Sequence, residues 1–225
     1  MKENKVVGSL LIISMIVIIS IVCCNLESGI KPLPASEITE GVRAEFGIDK
    51  NINEQTIDEY LFRDDSVYID VRMLKDPAKY ENIDGDSYLS GFVKGFEVLP
   101  YPYIVNVTGL PEEVGDTYKG KTLFTYKDGK YSPNYEESMD ILEYYFPKDK
   151  NILLMCGGGG YAGMMKNMLV ELGWNESRIY NTGGYWMYNG NNKVEVKRVV
   201  DEEEIYDFWK VTYHDLDFKS LHEVK

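Results

Sequence analysis

The residue of this sequence with the most reactive side chain is Cys156, which is followed by four consecutive glycines and Tyr161. The chain contains three cysteines, and the other two are the adjacent Cys23 and Cys24 near its start. The sequence beyond Cys24 therefore has a single thiol and cannot form an internal disulfide. A lone cysteine is often an inert packing residue, so its neighbours must decide whether this thiol is reactive.

The residues around Cys156 predict a buried strand, a tight loop and a helix. Residues 151–155 are mainly apolar, and apolar residues recur at helical spacing from Ala162 to Leu172, before Gly173 ends the helix. A strand end, a glycine loop and a helix start direct several backbone N–H groups at one point, which stabilises an anion there. We therefore expect a lowered pKa and a nucleophilic thiol at Cys156. The alternative interpretation is a plain strand-to-helix turn around a buried cysteine.

Two other kinds of glycine-rich loop fit this segment poorly. A Walker phosphate-binding loop needs Gly, four residues and then Gly-Lys-Ser/Thr. At that distance Gly157 is followed by Ala162 and Gly163, and the first lysine is Lys166. A dinucleotide-binding fingerprint matches the glycines loosely but leaves a cysteine at its start.

Strand and helix patterns alternate on both sides of the cysteine loop. This alternation predicts an α/β domain with a largely parallel central sheet. The individual predictions are helices over 53–62 and from about 133 to 146, strands over 67–71, 103–107, 178–180 and 194–196, a loop over 73–95, a hairpin turn at 127–130 and a helix start at 201–204.

Several short motifs, taken in chain order, resemble the rhodanese family. Residues 68–72 (Tyr-Ile-Asp-Val-Arg) are similar to its Asp-Val-Arg strand end, and residues 90–96 to its Gly-His-Ile-Pro-Gly-Ala segment. Cys156 and the loop up to Tyr161 lie where the family has its six-residue active-site loop. Residues 181–186 (Asn-Thr-Gly-Gly-Tyr-Trp) match its Gly-Gly-to-Trp ending. The resemblance covers about residues 53–190.

The resemblance implies a rhodanese-like doubly wound α/β fold, with a central mainly parallel sheet flanked by helices, and a sulfurtransferase activity without a cofactor. In the family, the cysteine attacks a sulfane-sulfur donor, carries the sulfur as a persulfide and passes it to a nucleophile. Cys156 inherits this catalytic role. The residues that inherit the binding of the sulfur are Gly157, Gly158, Gly159, Gly160 and Tyr161. The implied partners are a small sulfur-containing substrate and a thiol acceptor.

The loop departs from the family pattern in its charge. Active members usually carry Arg or Lys in the loop, whereas residues 157–161 contain neither, and Phe92 stands in place of the customary His. A neutral loop in a chain of net charge −13 predicts poor binding of thiosulfate. The alternative function is a catalytically weak or inactive rhodanese-like module that binds a partner or small ligand at the cell surface. A related phosphatase activity needs an arginine at the far end of the loop, where Tyr161 and Ala162 stand.

The N-terminal segment predicts export. Lys2 and Lys5 precede an apolar run over residues 6–22, which is typical of a signal sequence. The run ends in Ile-Val-Cys-Cys at 21–24, which resembles a bacterial lipobox with Cys24 as the acylated cysteine. An uncleaved signal anchor is the alternative. We therefore predict a lipoprotein that is anchored to the cell membrane through its lipid and faces the extracytoplasmic side.

The predicted organisation has four parts. They are a lipoprotein signal peptide over 1–24, a tether over 25–35, a rhodanese-like domain over 36–192 with an inserted hairpin at about 107–133, and a C-terminal extension over 193–225. His214 and His222 lie in the extension without metal-ligand spacing to another Cys or His, so we predict surface positions for them and no metal site.

The remaining polar and aromatic residues are assigned structural roles. Asp70 and Arg72 are predicted to form a structural polar pair, and Trp174 and Trp186 to belong to the core. The chain is acidic and has only 24 Lys and Arg residues, so it repels phosphate backbones, and nucleic acid is not an expected partner.

Overall fold

A parallel sheet of four strands forms the centre of the computed structural model, which describes residues 31–225. In chain order the elements are β1 (Ser66–Asp70), β2 (Gly91–Val93), β3 (Glu97–Val98), α1 (Tyr101–Ile104), β4 (Phe124–Lys127), β5 (Lys130–Pro133), α2 (Ser138–Tyr145), β6 (Asn151–Cys156), α3 (Gly160–Glu171), β7 (Ile179–Gly184), β8 (Lys193–Glu195), β9 (Lys197–Val200) and β10 (Glu203–Tyr206). The central strands adjoin in the order β3-β1-β6-β7, and all neighbours are parallel. The predicted α/β architecture with a central parallel sheet is confirmed.

Strand β6 lies in the middle of this sheet and is apolar along most of its length. Each of its six residues is buried, as expected of a central strand in a parallel sheet. Strand β1 pairs with it from Ser66 opposite Asn151 to Asp70 opposite Met155. Because the two strands run in the same direction, the residues that follow Asp70 and Met155 meet at one edge of the sheet.

Helix α3 begins directly after the glycine loop and packs on strands β6 and β7. Met165, Met168 and Leu169 are buried on its inner face and belong to the main core. The chain turns away at Gly173, whose φ of 98° is a left-handed value that glycine adopts readily. The helix and its end lie where the sequence predicts them.

The segment over 107–133, predicted to be an insertion, contains the predicted hairpin, which strands β4 and β5 form. Lys127 pairs with Lys130, and the intervening Asp128 and Gly129 have φ values of 51° and 77°. Two consecutive residues with positive φ are typical of a type I′ turn, which fits the twist of an antiparallel pair. Helix α2 follows the hairpin and ends before Pro147, as predicted, but it begins at Ser138 rather than at about 133, because Pro133 is the last residue of β5.

The strand predicted over 103–107 is wrong. The first two residues of this segment are the end of the short helix α1, and the other three lie beyond it. The second residue of α1 is Pro102, whose fixed φ and missing N–H suit the first turn of a helix. Ile104 is buried at the end of this helix, whereas Val105 is buried in an extended conformation and forms one isolated bridge with Phe124, too short to be a strand.

The helix predicted over 53–62 is reduced to one 3₁₀ turn, Ile57–Glu59. Asn53 Nδ2 donates to the carbonyl of Asp49 at 3.1 Å, and Thr56 Oγ1 donates to the carbonyl of Asn51 at 2.7 Å. Such bonds from side chains to backbone carbonyls compete with the helical hydrogen bonds. The segment therefore follows its side-chain hydrogen bonds rather than its apolar spacing.

The helix start predicted at 201–204 is also wrong. Strands β9 and β10 form an antiparallel hairpin there, with Asp201 and Glu202 in its turn at φ values of 50° and 69°. A charged tetrapeptide suits an exposed turn as well as a helix start, and the pairing of the two flanking strands decides between them.

The C-terminal residues 193–225 pack against the rest of the chain. Strand β8, the predicted edge strand, pairs antiparallel with β2, which lies inside the segment predicted as a loop over 73–95. Leu216, Phe218 and Leu221 pack against the main core. Residues Ala35–Lys225 consequently form one compact unit.

The predicted signal peptide, Cys24 and most of the predicted tether lie outside the described residues. Within residues 31–225, no helix has the length and apolar character that crossing a membrane requires. The lipid anchor at Cys24 stays a prediction.

Candidate active site

Cys156 is the last residue of β6 and is almost fully buried, with 3% of its surface exposed. Its Sγ accepts a hydrogen bond from the backbone N–H of Gly159 at 3.1 Å. Helix α3 begins at the next residue, so the sulfur lies close to the start of that helix. The backbone N–H groups of Gly159 in the loop and of Ala162 in the first turn of α3 thus act on the thiol.

The first three carbonyls of the glycine loop are held by hydrogen bonds from outside the loop. The bonds run from the Trp186 backbone N–H to the Gly157 carbonyl at 3.1 Å, from Arg43 Nη2 to the Gly158 carbonyl at 2.6 Å, and from Asn181 Nδ2 to the Gly159 carbonyl at 3.0 Å. These three donors fix the orientation of the loop peptides, and the N–H of Gly159 is free to donate to the sulfur.

Two glycines of this site are required by geometry. Gly159 has a φ of 106°, a conformation that residues with a side chain rarely adopt. Gly184, at the end of β7, lies so close to the loop that a Cβ there would come within 2.7 Å of the Gly158 Cα. The loop can pack against β7 because both positions are glycine.

The pKa of the Cys156 thiol is raised above its ordinary value, so the predicted lowering is wrong. Burial is the main cause, because a thiolate loses its hydration. Hydrogen bonds from the N–H groups of Ala162 and Gly159 lower the pKa, as does the charge of Arg72, but burial outweighs them. The resting group is therefore a thiol, and it must lose its proton before it acts as a nucleophile.

Arg72 follows β1 and forms a buried ion pair with Asp70, the last residue of that strand. Its Nε and Nη2 donate to the Asp70 carboxylate at 3.0 and 2.5 Å, and Nη2 also donates to the Gly91 carbonyl at 2.8 Å. Its Nη1 is buried and has no hydrogen-bond partner among residues 31–225. Burial works to lower the pKa of Arg72, but the Asp70 carboxylate outweighs burial and raises it, so the guanidinium stays charged.

A cavity of about 130 Å³ lies over Cys156 and the glycine loop. Most of its wall is aromatic or aliphatic, and its rim includes the exposed side chains of Phe46 and Ile83. Arg72 contributes a cation to its lining. Its other lining residues include Met73, Asp76, Tyr80, Asp86, Leu110, Tyr161 and Trp186.

Trp186 belongs to the wall of this cavity rather than to the core predicted for it. Its indole lies against Gly157 and Gly158 and is half-buried, and its Nε1 is buried without a hydrogen-bond partner among residues 31–225. Trp174, by contrast, is buried in the core and donates from Nε1 to the Phe146 carbonyl at 2.6 Å. The two tryptophans therefore have different roles.

Tyr161, the last residue of the loop, is buried beside the cavity and uses its hydroxyl in a hydrogen bond to a carboxyl group. The hydroxyl donates to Asp76 Oδ2 at 3.1 Å. Burial raises the pKa of Tyr161 and also that of Asp76, whose two hydrogen bonds offset only part of the effect. A neutral phenol that is bonded to a buried carboxyl group forms one side of the cavity.

Arg43 was not predicted to be part of the site, and it lies 115 positions along the chain from the Gly158 carbonyl to which it donates. Arg43 also forms an ion pair with the buried Glu54, whose carboxylate accepts the Gly184 N–H at 3.3 Å. No local motif marks this arginine, and only the fold brings it to the loop. Leu110 and Pro111, from the segment over 107–133, also line the cavity.

The histidines form surface contacts. His214 pairs with Glu97 at 2.7 Å and His222 with Glu137 at 2.5 Å, and hydrogen bonding to Glu137 raises the pKa of His222. Within the described part of the chain, no group of three His, Cys, Asp or Glu side chains could hold a metal ion.

No protein-family model, curated protein or solved structure matches the chain in comparisons with known proteins. The resemblance to the rhodanese family therefore rests on the motifs named above.

Proposed function

We propose that this chain is a rhodanese-like sulfurtransferase or persulfide carrier, in which Cys156 carries the sulfur. The observation that supports it most directly is the N–H of Gly159 donating to Cys156 Sγ beside a cavity large enough for a small substrate. A backbone donor in that position stabilises a thiolate and, after transfer, an anionic persulfide. The parallel sheet and the order of the motifs are compatible with the family's doubly wound fold.

The proposed reaction has two steps. The thiol of Cys156 first loses its proton to solvent, and its sulfur then attacks the outer sulfur of a sulfane donor. The donor's S–S bond breaks, its electron pair leaves with the rest of the donor, and a persulfide forms on Cys156. In the second step a thiolate acceptor attacks the outer sulfur of that persulfide, and the Cys156 thiolate leaves. Neither step needs a cofactor.

The proposal places the domain at the extracytoplasmic face of the cell membrane, held there by lipid on Cys24. The signal-like apolar run over 6–22 and the lipobox-like motif at its end support this location. The partners would be a small sulfur-containing substrate, a thiol acceptor and the membrane itself.

The second candidate function is a rhodanese-like module that binds a partner or small ligand with little or no turnover. The raised pKa of the buried Cys156 thiol favours it, because little thiolate exists at neutral pH. So does the absence of Arg and Lys from residues 157–161. The two candidates differ in one respect, which is whether the thiol takes up sulfur.

The test is intact-mass spectrometry of the purified chain after incubation with several sulfane-sulfur donors. We expect the protein to gain one sulfur atom, which cyanide or a small thiol then removes. Cys156→Ser is the matched control and must gain none. A wild-type protein that gains no sulfur from any donor refutes the transferase and leaves the binding module.

A further inference from the structure

The glycine loop has no cation of its own, and Arg43 supplies one from the segment that follows the predicted tether. Its Nη2 donates to the Gly158 carbonyl at 2.6 Å. That carbonyl belongs to the same peptide group as the Gly159 N–H, which donates to Cys156 Sγ at 3.1 Å. Because a trans peptide group is planar, its C=O and N–H point in opposite directions, and a fixed oxygen fixes the direction of the N–H. Arg43 therefore aims a donor at the sulfur from the far side of the peptide.

This hydrogen bond also brings a full positive charge to the peptide oxygen. A guanidinium keeps its proton in proteins, and a charged donor makes a stronger hydrogen bond than a neutral one. Hydrogen bonds in a chain polarise one another, so a cation at the carbonyl makes the N–H at the other end a better donor to an anion. The charges that act directly on the pKa of the Cys156 thiol are those of Asp70 and Arg72, which leaves the peptide as the route by which Arg43 acts.

Contacts outside the loop hold Arg43 in place. Its Nη1 forms the ion pair with Glu54, which is only 4% exposed. Three residues further on, the Phe46 carbonyl accepts from Asn181 Nδ2 at 2.6 Å. The segment should therefore keep its place when the bond to Gly158 is lost, so that an Arg43 variant tests this bond rather than the fold.

We propose that Arg43 is a positioning residue for sulfur transfer, which holds the Gly158–Gly159 peptide so that its N–H stabilises the negative charge on the Cys156 sulfur. The charge resides first on the thiolate and then on the persulfide, and the persulfide part rests on the proposed function. Arg43 lies outside the lining of the cavity over Cys156, so its role is separate from the binding of a donor.

Three variants separate the bond to the loop from the ion pair. Arg43→Met/Glu54→Gln removes the bond to Gly158 and leaves no unpaired buried charge. Glu54→Gln breaks the same ion pair but keeps Arg43 and its bond to Gly158, so it is the matched control. Arg43→Lys keeps the cation without the fork that reaches both Glu54 and Gly158, and it should recover part of the loss.

The first measurement is the rate of iodoacetamide labelling against pH, followed on the Cys156 peptide of the full chain in detergent. The midpoint of the profile gives the thiol pKa, and the alkaline plateau gives its accessibility. We expect the midpoint of Arg43→Met/Glu54→Gln to lie about one pH unit above that of Glu54→Gln, which means about tenfold less thiolate at neutral pH. The other charged or titratable side chains around the thiol, unchanged in all variants, are Asp70, Arg72, Asp76, Tyr80, Asp86 and Tyr161.

The second measurement is the rate at which inorganic polysulfide adds sulfur to Cys156, read by intact mass at neutral pH. Because this rate follows the thiolate fraction, it should fall about tenfold in Arg43→Met/Glu54→Gln relative to Glu54→Gln, with Arg43→Lys between the two.

The outcomes distinguish this inference from the proposed function. Equal midpoints for Arg43→Met/Glu54→Gln and Glu54→Gln, or a change in the plateau alone, overturn the role of Arg43 while the transferase stands. A raised midpoint in a protein whose wild type takes up no sulfur supports the role of Arg43 in holding the peptide and refutes the transferase. If the double variant does not fold, Arg43→Lys decides, because its midpoint should lie above that of the wild type and an unchanged midpoint overturns the inference.

Discussion

The indole of Trp186 lies directly against Gly157, the first residue after the cysteine. A Cβ on Gly157 would come within 2.6 Å of the Trp186 Cε2, and the backbone N–H of Trp186 donates to the Gly157 carbonyl at 3.1 Å. Gly160, at the other end of the loop, has only the Phe46 ring near its Cβ position, at 3.9 Å. The two glycines therefore tolerate side chains very differently.

Gly157→Ala should destabilise the protein and Gly160→Ala should not. The first change forces the indole or the loop to move, at a cost of about 1–3 kcal/mol. The second replaces glycine at the start of α3, where its φ is not left-handed, and should stabilise by about 0.5 kcal/mol. Urea unfolding measures both free energies. Equal effects would show that the loop adjusts freely around Trp186.

Gly160→Arg should raise the activity with thiosulfate. Gly160 lines the cavity. Thiosulfate is a dianion, and its repulsion from a thiolate 4 Å away costs about 4 kcal/mol for each pair of unit charges at an effective dielectric constant of ~20. A guanidinium there offsets part of that cost and offers a fork to the donor oxygens. The measurement is kcat/KM for thiosulfate, with Gly160→Ala as the matched control. If kcat/KM of Gly160→Arg is no higher than that of Gly160→Ala, charge repulsion does not limit the reaction with thiosulfate.

The pH dependence of thiol alkylation should reflect the raised pKa of Cys156. The folded protein should react with iodoacetamide more slowly at neutral pH than a free cysteine, whose pKa is about 8.5, and the rate should keep rising above that pH. Labelling rates between neutral and alkaline pH, compared with those of the urea-unfolded chain, test this. If the labelling rate of the folded protein levels off at a pH below the free cysteine pKa of about 8.5, the raised pKa of Cys156 is contradicted.

The same shift in pKa predicts a loss of stability at alkaline pH. Because the folded pKa of Cys156 lies above the unfolded one, its stabilising contribution is complete below about pH 8.5 and is lost as the pH rises through the folded value. The free energy of unfolding of the wild type should therefore fall relative to that of Cys156→Ser as the solution becomes alkaline. If the free energies of unfolding of the two proteins change in parallel with pH, the predicted link between the Cys156 pKa and stability is contradicted.

Arg72→Met should be strongly destabilising because it leaves Asp70 buried without its partner. Asp70 has no exposed surface, and removal of one member of a buried ion pair costs about 3–5 kcal/mol. The double variant Asp70→Asn/Arg72→Met should recover part of that loss, because no uncompensated charge remains. Urea unfolding of Asp70→Asn, Arg72→Met and the double variant gives the double-mutant cycle. Strictly additive losses would mean that the two side chains act independently.

The mature protein should begin at a lipidated Cys24. The lipobox-like end of the apolar run over 6–22 predicts cleavage before this residue and acylation of its thiol. Intact mass and detergent partitioning of the protein from its native membrane decide between the two alternatives. An N-terminus that still begins with Met1 in the membrane fraction would establish an uncleaved anchor instead.

The elements next to Cys156 could be predicted because their signals are local. The buried strand β6, the glycines that follow it, helix α3 and the hairpin turn at Asp128 and Gly129 each depend on a few consecutive residues. Where side-chain hydrogen bonds or distant strand pairing compete with local spacing, as at 53–62 and 201–204, the sequence pattern alone was insufficient. Backbone conformation at those places depends on contacts that the pattern does not contain.

The sequence by itself determined that one thiol would follow a central strand and precede a helix, with backbone amides around it. Only the tertiary structure decided how that thiol behaves. Burial depends on every element that packs over Cys156, and it raises the pKa that the amides alone would lower. The fold also brings Arg43, Arg72 and Trp186 to the loop from distant parts of the chain. Desolvation and long-range contacts are properties of packing, and the spacing of residues along a chain does not contain them.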